Sequence, residues 1–341
     1  MEMKAAVLRE FKKPLSLENV PVPTIGSRDV LVKIKASGIC QSDLHLWRGA
    51  APNLPLIPGH ENSGIVEKIG EQVWNVKVGD RVVCDNAITC GECYNCESGR
   101  AQFCDSISDV GWNRAGGYAE YIALPFRSVY PLPEQISFEE GAVTGCAVVT
   151  AYHAAKKADI KLGSTVVVFG LGGIGYHVVK LAWAFGAGRV IAVDIDDRKL
   201  ARAKKLGSEI INPNTEVVED SVKKLTNGRG ADYVFEAIGN AKTVLSALRV
   251  AGKGAKVVFI GICFGKIEIA PWDDLAAKEL QVTGCNDHPP HEMMEIIELV
   301  KQRKIDLTDS ITHRIKLDEV NRGIEMLDKK SVDLLRIVMM Q

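Results

Sequence analysis

The sequence predicts an α/β fold in which a barrel-like β domain precedes a doubly wound parallel sheet. The first half consists of short apolar strands separated by Gly and Pro, as at Val30–Ala36 and Gly64–Ile69, a pattern typical of all-β structure. Near residue 150 the pattern changes to apolar strands that alternate with helical stretches, which indicates a parallel sheet with helical crossovers. A chain of 341 residues is long enough for both domains.

The second half contains six apolar runs of strand length. They are Val166–Phe169, Val190–Val193, Ile210–Ile211, Tyr233–Phe235, Val257–Ile260 and Leu280–Thr283. After them, a helix over Glu292–Lys301 and a strand over Arg336–Met340 do not continue the alternation. We therefore expect the C-terminal segment to return to the first domain.

Composition and charge exclude several functional classes. The formal net charge of -1 argues against a sequence-independent nucleic-acid interface. No apolar run reaches membrane-spanning length, and the N-terminal segment does not resemble a signal peptide, so we expect a cytoplasmic protein without a membrane partner. Thiols stay reduced in the cytoplasm, and metal binding is then the first explanation for nine cysteines.

A glycine-rich turn indicates a dinucleotide site. The segment Gly170-Leu171-Gly172-Gly173-Ile174-Gly175 fits G-x-G-x-x-G, follows an apolar strand and opens an amphipathic helix. Gly170 permits the tight turn, Gly172 lets the backbone approach a pyrophosphate, and Gly175 allows close packing of the helix on the strand. The alternative is an ordinary strand–helix turn, which this context makes improbable.

Asp194 follows the next strand, nineteen residues after Gly175, and bears on the choice of cofactor. A carboxylate at this position accepts hydrogen bonds from ribose hydroxyls and repels a 2′-phosphate, so it favours NAD. The alternative role is to cap the following helix, and Arg198 nearby leaves room for the use of both cofactors.

Four cysteines lie within fifteen residues, at Cys90, Cys93, Cys96 and Cys104. Four soft thiolates with no open position are typical of a structural zinc site. An iron–sulfur cluster is the second interpretation, but the ferredoxin spacing differs. A nucleic-acid-binding zinc ribbon is a third, and the acidic residues of the loop disfavour it.

A second set of reactive side chains is dispersed along the chain. Cys40, Ser42, Asp43 and His45 fall within six positions, and Gly59-His60-Glu61 follows about twenty residues later. Composition and spacing alone do not join these residues and Cys146 into one site.

These motifs together resemble the zinc-containing medium-chain alcohol dehydrogenases over essentially the whole chain. The resemblance rests on Cys40-Gln41-Ser42-Asp43, Gly59-His60-Glu61, the four-cysteine loop, Cys146-x3-Thr150, and the glycine turn with Asp194. It implies a GroES-like catalytic domain built from both chain ends and a Rossmann coenzyme domain between them. The expected segments are 1–147, 148–285 and 286–341.

The resemblance also implies a role for each motif residue. Cys40, His60 and Cys146 would bind a catalytic zinc, with Glu61 near the metal and Asp43 orienting the histidine. Ser42 and His45 would form a proton relay from the alcohol to solvent. The remaining implied positions are Thr150 near the nicotinamide, Lys199 at the adenosine ribose, Arg336 at the pyrophosphate and Asn86 in the substrate pocket.

The expected activity is hydride transfer between an alcohol and NAD, with zinc acting as the Lewis acid and one catalytic and one structural zinc per chain. Related polyol and threonine dehydrogenases are the alternative, but they usually carry glutamate in the region of Cys146, so this cysteine favours the alcohol branch. Asn86 replaces a residue that is aromatic in several alcohol dehydrogenases, which argues against a purely apolar substrate. A catalytically silent relative would have lost a zinc ligand, and none is lost here. The family suggests a homo-oligomer, with a tetramer favoured over a dimer.

Overall fold

The computed structural model describes residues 1–50, 53–263, 265–329 and 333–341. Its contacts divide the chain into two compact units. The first unit is Met1–Val149 together with His288–Gln341, and the second is Thr150–Asp287. The C-terminal segment thus belongs to the same unit as the N-terminal half. The predicted domain boundaries at 147/148 and 285/286 stay a prediction.

The described residues form β-strands and α-helices, most of them short. The strands are β1 (Glu2–Val7), β2 (Ser16–Pro21), β3 (Asp29–Ile39), β4 (Glu61–Ile69), β5 (Arg81–Cys84), β6 (Ala87–Ile88), β7 (Ser108–Asp109), β8 (Tyr121–Pro125), β9 (Val129–Pro131), β10 (Thr165–Phe169), β11 (Arg189–Val193), β12 (Glu209–Ile211), β13 (Ala231–Glu236), β14 (Ala251–Phe259), β15 (Gln281–Gly284), β16 (Ile311–Lys316) and β17 (Arg336–Met340). The α-helices are α1 (Gln41–His45), α2 (Tyr94–Glu97), α3 (Phe138–Val143), α4 (Val149–Ala158), α5 (Gly173–Ala184), α6 (Asp197–Lys205), α7 (Val218–Leu225), α8 (Ala241–Val250), α9 (Pro290–Lys301) and α10 (Val320–Lys329). None of these helices is long and apolar enough to cross a membrane.

The first unit is built on a bulged, mostly antiparallel sheet with the order β16-β17-β3-β4-β5-β9, in which β8 also pairs with β3. The long central strand β3 buries most of its residues and pairs with β17, so the C-terminal strand closes the sheet beside the N-terminal half. The apolar residues that alternate along the predicted strands, Val30, Val32 and Ile34 among them, pack into one core. The predicted barrel-like domain is confirmed.

The second unit contains a parallel sheet with the order β12-β11-β10-β13-β14-β15 and helices between successive strands. Every residue of β10 is buried, as expected of a strand covered by helices on both faces. The strand order reverses between β10 and β13. In open α/β sheets ligands bind at the carboxyl ends of the strands at such a reversal. The predicted doubly wound sheet is confirmed, and its switch point coincides with the glycine turn after β10.

Three cysteines lie outside the predicted metal sites, and one of them is a core residue. Cys84 in β5 is fully buried, whereas Cys263 and Cys285 are partly exposed. The two exceptions follow the ends of β14 and β15, where the chain leaves the apolar interior of the sheet.

Candidate metal centres and nucleotide site

Four side chains from three parts of the first unit meet in one cluster. Cys40 directly follows β3, His60 and Glu61 stand at the start of β4, and Cys146 lies in a wide helical turn between α3 and α4. Their sulfur, nitrogen and carboxylate oxygen atoms all lie within 4.8 Å of one another. Two thiols, an imidazole and a carboxylate form a donor set that suits Zn²⁺.

Glycines make room for this cluster. Strand pairing places Gly38 opposite Glu61, and a Cβ atom at Gly38 would lie 2.1 Å from Glu61 Oε2. Gly59 has a φ of +96°, and a Cβ atom there would lie 2.2 Å from the ring of Tyr118. Any larger residue at either position would therefore displace a side chain of the cluster or its support.

The buried carboxylate of Asp43 connects the parts of this site. Its Oδ1 lies 3.1 Å from Nδ1 of His60, which leaves Nε2 as the ring nitrogen available to a metal. Its Oδ2 accepts hydrogen bonds from the backbone N–H of Cys40 and from the hydroxyl of Tyr118, each at 2.8 Å. Tyr118 was missed by the sequence analysis, because a residue 75 positions away carries no spacing signal.

Charge inside the cluster is balanced by Arg336, which forms an ion pair with Glu61. Both side chains are almost fully buried, and Oε1 of Glu61 has no hydrogen-bond partner among the described residues. Burial raises the pKa of the Glu61 carboxyl to about 7, and the positive charge of Arg336 opposes that rise. A hydrogen bond with the Cys146 thiol holds the pKa of Cys40 well below its ordinary value. A buried carboxylate with a vacant acceptor and a thiol that ionises readily both fit a bound cation.

The structure therefore places Arg336 beside Glu61, in the first unit. Its expected contact with the cofactor pyrophosphate stays a prediction.

The residues of the expected proton relay lie on α1. Ser42 and His45 are one helical turn apart and both are partly exposed. Ser42 Oγ lies 3.7 Å from Sγ of Cys40, so its hydroxyl adjoins the metal cluster.

Asn86 lies between β5 and β6, and its carbonyl accepts a hydrogen bond from the N–H of Val110 at 2.9 Å. The preceding residue, Asp85, is buried and accepts from the N–H of Ala87 at 3.0 Å. Asp85 also lies 3.5 Å from Nε2 of the buried His288. This carboxylate–imidazole pair next to Asn86 was not predicted, because His288 is more than two hundred residues away in the chain.

The four cysteines of the loop, Cys90, Cys93, Cys96 and Cys104, form a second cluster with sulfur atoms within 4.8 Å of one another. Backbone N–H groups surround them: that of Cys90 donates to the sulfur of Cys104 at 3.3 Å, and that of Cys93 to the sulfur of Cys90 at 3.3 Å. Hydrogen bonds from the backbone of Asp105 and Cys96 lower the pKa of Cys93 to about 6. Four converging sulfurs with amide donors are what a closed tetrahedral zinc site needs.

The glycine turn has the shape of a phosphate cradle. Gly170 has a φ of +86°, and α5 begins at Gly173. A Cβ atom at Gly172 would meet nothing within 4 Å, whereas one at Gly175 would lie 1.7 Å from the carbonyl oxygen of Gly170. Open space lies over Gly172 at the start of a helix, where N–H groups without helical partners attract anions. Ile174 lies in this first turn of α5.

Asp194 is buried at the end of β11 and supports the same turn. Its Oδ2 accepts from the N–H of Leu171 at 2.7 Å, and its Oδ1 from the N–H of Asp196 at 2.9 Å. Lys199 Nζ lies 3.8 Å from Asp194 Oδ2, which places the two expected ribose residues together. The cap of α6 is Asp196 rather than Asp194, since Asp196 accepts from the N–H of Arg198.

Arg198, the residue that leaves room for the use of NADP, forms an ion pair with Asp196. Its Nε and Nη2 donate to the two carboxylate oxygens at 3.0 and 2.7 Å.

Thr150 lies in the first turn of α4 and is nearly buried, and its carbonyl accepts a weak hydrogen bond from the thiol of Cys285. Its expected position near the nicotinamide stays a prediction.

Comparison with known proteins agrees with this geometry. The family profile described as alcohol dehydrogenase GroES-like domain matches residues 26–134, and that described as zinc-binding dehydrogenase matches residues 173–302. An alcohol dehydrogenase of Geobacillus stearothermophilus is 37% identical over 308 residues, 89% of this chain and 90% of that protein. An L-threonine 3-dehydrogenase of Chelativorans sp. (strain BNC1) is 34% identical over 328 residues, 94% of each chain.

A solved structure covers the chain completely. It is a putative zinc-binding dehydrogenase from Sinorhizobium meliloti 1021 bound to NADP, with a TM-score of 0.92, 32% identity and 100% of both chains covered. One assignment follows from the two-part fold, from the clustered cysteine and histidine side chains and from these relatives. The chain belongs to the zinc-containing medium-chain dehydrogenase family.

Proposed function

We propose that this protein is an NAD-dependent zinc alcohol dehydrogenase that interconverts an alcohol with its aldehyde or ketone. The observation that carries the proposal is the cluster of Cys40, His60 and Cys146 with Glu61 beside it. The cluster keeps both thiol ligands as well as the imidazole, which favours the alcohol branch. It is also complete, which argues against a catalytically silent relative.

Each residue of the proposed metal site has a separate role. Cys40, His60 and Cys146 would hold Zn²⁺, which supplies a Lewis acid that favours loss of the alcohol proton and polarises a carbonyl. Asp43 fixes the ring of His60 through Nδ1 and also accepts from the N–H of Cys40, so one carboxylate aligns two ligands. Glu61 adds a buried negative charge that Arg336 balances.

The proton released from the alcohol needs a path to water. Ser42 adjoins Cys40, and His45 follows one turn later on α1. The Ser42 hydroxyl would accept the alcohol proton as it releases its own outward, and the His45 imidazole would pass a proton on to solvent. Asn86 would line the substrate pocket with a polar amide, which suits an alcohol that carries a second polar group.

NAD is the proposed cofactor because the carboxylate of Asp194, near Lys199, would accept hydrogen bonds from the ribose hydroxyls and repel a 2′-phosphate.

Asp194→Gly should weaken NADH binding by about tenfold or more, since a charge-assisted bond contributes roughly 1.5–3 kcal/mol. The gain for NADPH should be small, because Arg198 stays bound to Asp196. The dissociation constants of both reduced cofactors, measured by fluorescence, check this. An unchanged NADH constant would remove Asp194 from the ribose site.

A threonine or polyol dehydrogenase is the second candidate. The L-threonine 3-dehydrogenase relative is nearly as similar as the alcohol dehydrogenase, and Asn86 is polar. Cys146 in the metal cluster argues against this candidate, because those enzymes usually carry glutamate in that region.

The deciding experiment is a substrate panel. Primary alcohols, secondary alcohols, polyols and L-threonine are each offered with NAD, and kcat/KM is taken from the absorbance of NADH. We expect alcohols to be the best substrates. A kcat/KM for L-threonine or a polyol that exceeds every simple alcohol would replace the proposal with the second candidate. An Asn86→Phe variant tests the pocket, and it should shift preference toward apolar alcohols.

We further propose a cytoplasmic homotetramer. Reduced thiols at both clusters suit the cytoplasm. Light scattering should give a mass of about four times the 37.1 kDa chain. A mass of twice the chain would make it a dimer.

A further inference from the structure

The N-terminus of α6 carries a carboxylate that the family motifs do not use. Asp196 follows Asp194 by two residues and donates its own N–H to Oδ1 of Asp194 at 2.9 Å. This bond links the backbone of Asp196 to the Asp194 carboxylate just beyond the end of β11. Both oxygens of Asp196 bind the guanidinium of Arg198, at 3.0 and 2.7 Å.

This bidentate ion pair occupies the guanidinium of Arg198, the group that would otherwise recognise a phosphate monoester. A guanidinium pairs with two oxygens of a carboxylate or a phosphate in the same bidentate geometry, so the Nε–Nη2 edge that Asp196 occupies cannot serve a phosphate at the same time. We propose that Asp196 is a specificity-determining residue that excludes NADP by holding Arg198. This inference rests on the proposed place of Asp194 at the ribose.

The ion pair between Asp196 and Arg198 contributes little to the stability of the fold, so its role can be tested by substitution. The Arg198 and Asp196 side chains are 46% and 24% exposed, and exposed ion pairs contribute little to stability. Asp196 also caps α6 by accepting from the N–H of Arg198 at 2.9 Å. Serine retains that capping function with a shorter side chain that cannot grip the guanidinium, so Asp196→Ser separates the two roles.

The experiment measures the dissociation constants of NADH and NADPH, from cofactor fluorescence, in the parent, Asp196→Ser and the double variant Asp196→Ser/Arg198→Gln. Asp196→Ser should bind NADPH about tenfold more tightly, with NADH within about twofold of the parent. The double variant should lose most of that gain, because Arg198 is the group released. Glu209→Gln is the matched control. It removes one negative charge and an ion pair with Arg189, at the amino ends of β11 and β12, whereas Asp196 follows the carboxyl end of β11. The dissociation constants of NADH and NADPH should both stay unchanged.

The outcomes separate this inference from the proposed function. A parent that binds NADPH more tightly than NADH overturns the proposed use of NAD. A parent that prefers NADH, together with an unchanged NADPH constant in Asp196→Ser, overturns the role of Asp196 alone. A gain that persists in the double variant also overturns it, since Arg198 would not be the cause. Should Asp196→Ser melt early, Asp196→Asn keeps the cap and the shape, and it should tighten NADPH in the same direction by a smaller factor.

Discussion

At the scale of single residues, the metal cluster depends on a carboxylate that does not itself belong to it. Asp43 is buried and accepts from the Cys40 N–H and the Tyr118 hydroxyl, while its other oxygen faces His60. One side chain therefore contacts both a candidate thiol ligand and a candidate imidazole ligand. The partners of Asp43 are buried polar groups, so the loss of its negative charge would weaken the hydrogen bonds that they make.

Asp43→Asn tests this positioning role. The amide keeps the size of the side chain but loses the charge, so we expect zinc affinity and kcat/KM each to fall about 10- to 100-fold. Zinc retained after dialysis against a chelator, measured with kcat/KM, checks the expectation. Tyr118→Phe removes one donor to the same carboxylate and should cost less. Unchanged zinc retention in Asp43→Asn would show that His60 is held by other contacts.

At the scale of elements, two turns present backbone N–H groups at a candidate binding site. The turn from β10 into α5 offers helix N–H groups beneath open space, and the loop around α2 directs N–H groups at sulfur. The first is closely packed, since Gly175 lies against Gly170 with no room for a side chain. The second contains the four-residue helix α2 and a short 3-10 turn at Ala101–Phe103. Three of its four cysteines are partly exposed, and its large apolar side chains, Tyr94 and Phe103, are exposed, so they bury little apolar surface.

A pair of glycine variants tests the first turn. Gly172→Ala places a methyl group in open space, so the melting temperature should stay near that of the parent while NADH binding weakens by about tenfold or more. Gly175→Ala places its Cβ 1.7 Å from a carbonyl oxygen, so the protein itself should be destabilised. Thermal melts and NADH titrations distinguish the two effects. Normal NADH binding by Gly172→Ala would mean that the pyrophosphate lies elsewhere.

A cysteine variant tests the second turn. Cys96→Ser should lower the melting temperature and the zinc content, because the metal stabilises a loop with few apolar contacts. The folded fraction should keep appreciable activity, since this cluster is separate from that of Cys40. Cys263→Ser, outside both clusters, is the control and should melt like the parent. A normal melting temperature for Cys96→Ser would contradict a structural role for the site.

At the scale of the whole molecule, the two chemistries belong to different units. Both cysteine clusters lie in the unit of Met1–Val149 and His288–Gln341, and the glycine turn with Asp194 lies in Thr150–Asp287. Metal binding and nucleotide binding should therefore respond separately to substitution.

Cys40→Ala tests this separation. The variant should lose alcohol oxidation and hold one zinc ion in place of the two that the clusters predict, while the NADH dissociation constant stays within about threefold of the parent. Elemental analysis and NADH titration give the two readings. Cys84→Ala, which changes a buried cysteine outside both clusters, should keep two zinc ions. Joint loss of metal and NADH binding would contradict the separation.

The sequence by itself determined what depends on neighbours in the chain. The glycine turn, the spacing of Cys90 to Cys104 and the closing strand Arg336–Met340 were predicted because their signals are local: apolar periodicity, backbone freedom and ligands a few residues apart. The doubly wound sheet followed from the same alternation and is confirmed.

The tertiary structure alone decided which distant residues meet. Cys40, His60 and Cys146 had been joined only through a family resemblance, and the fold brings their ligand atoms within 4.8 Å. The contact of Tyr118 with Asp43 and the burial of Arg336 against Glu61 had no sequence signal. The physical reason is that strand pairing and burial set such contacts, and both are properties of the packed chain rather than of any local pattern.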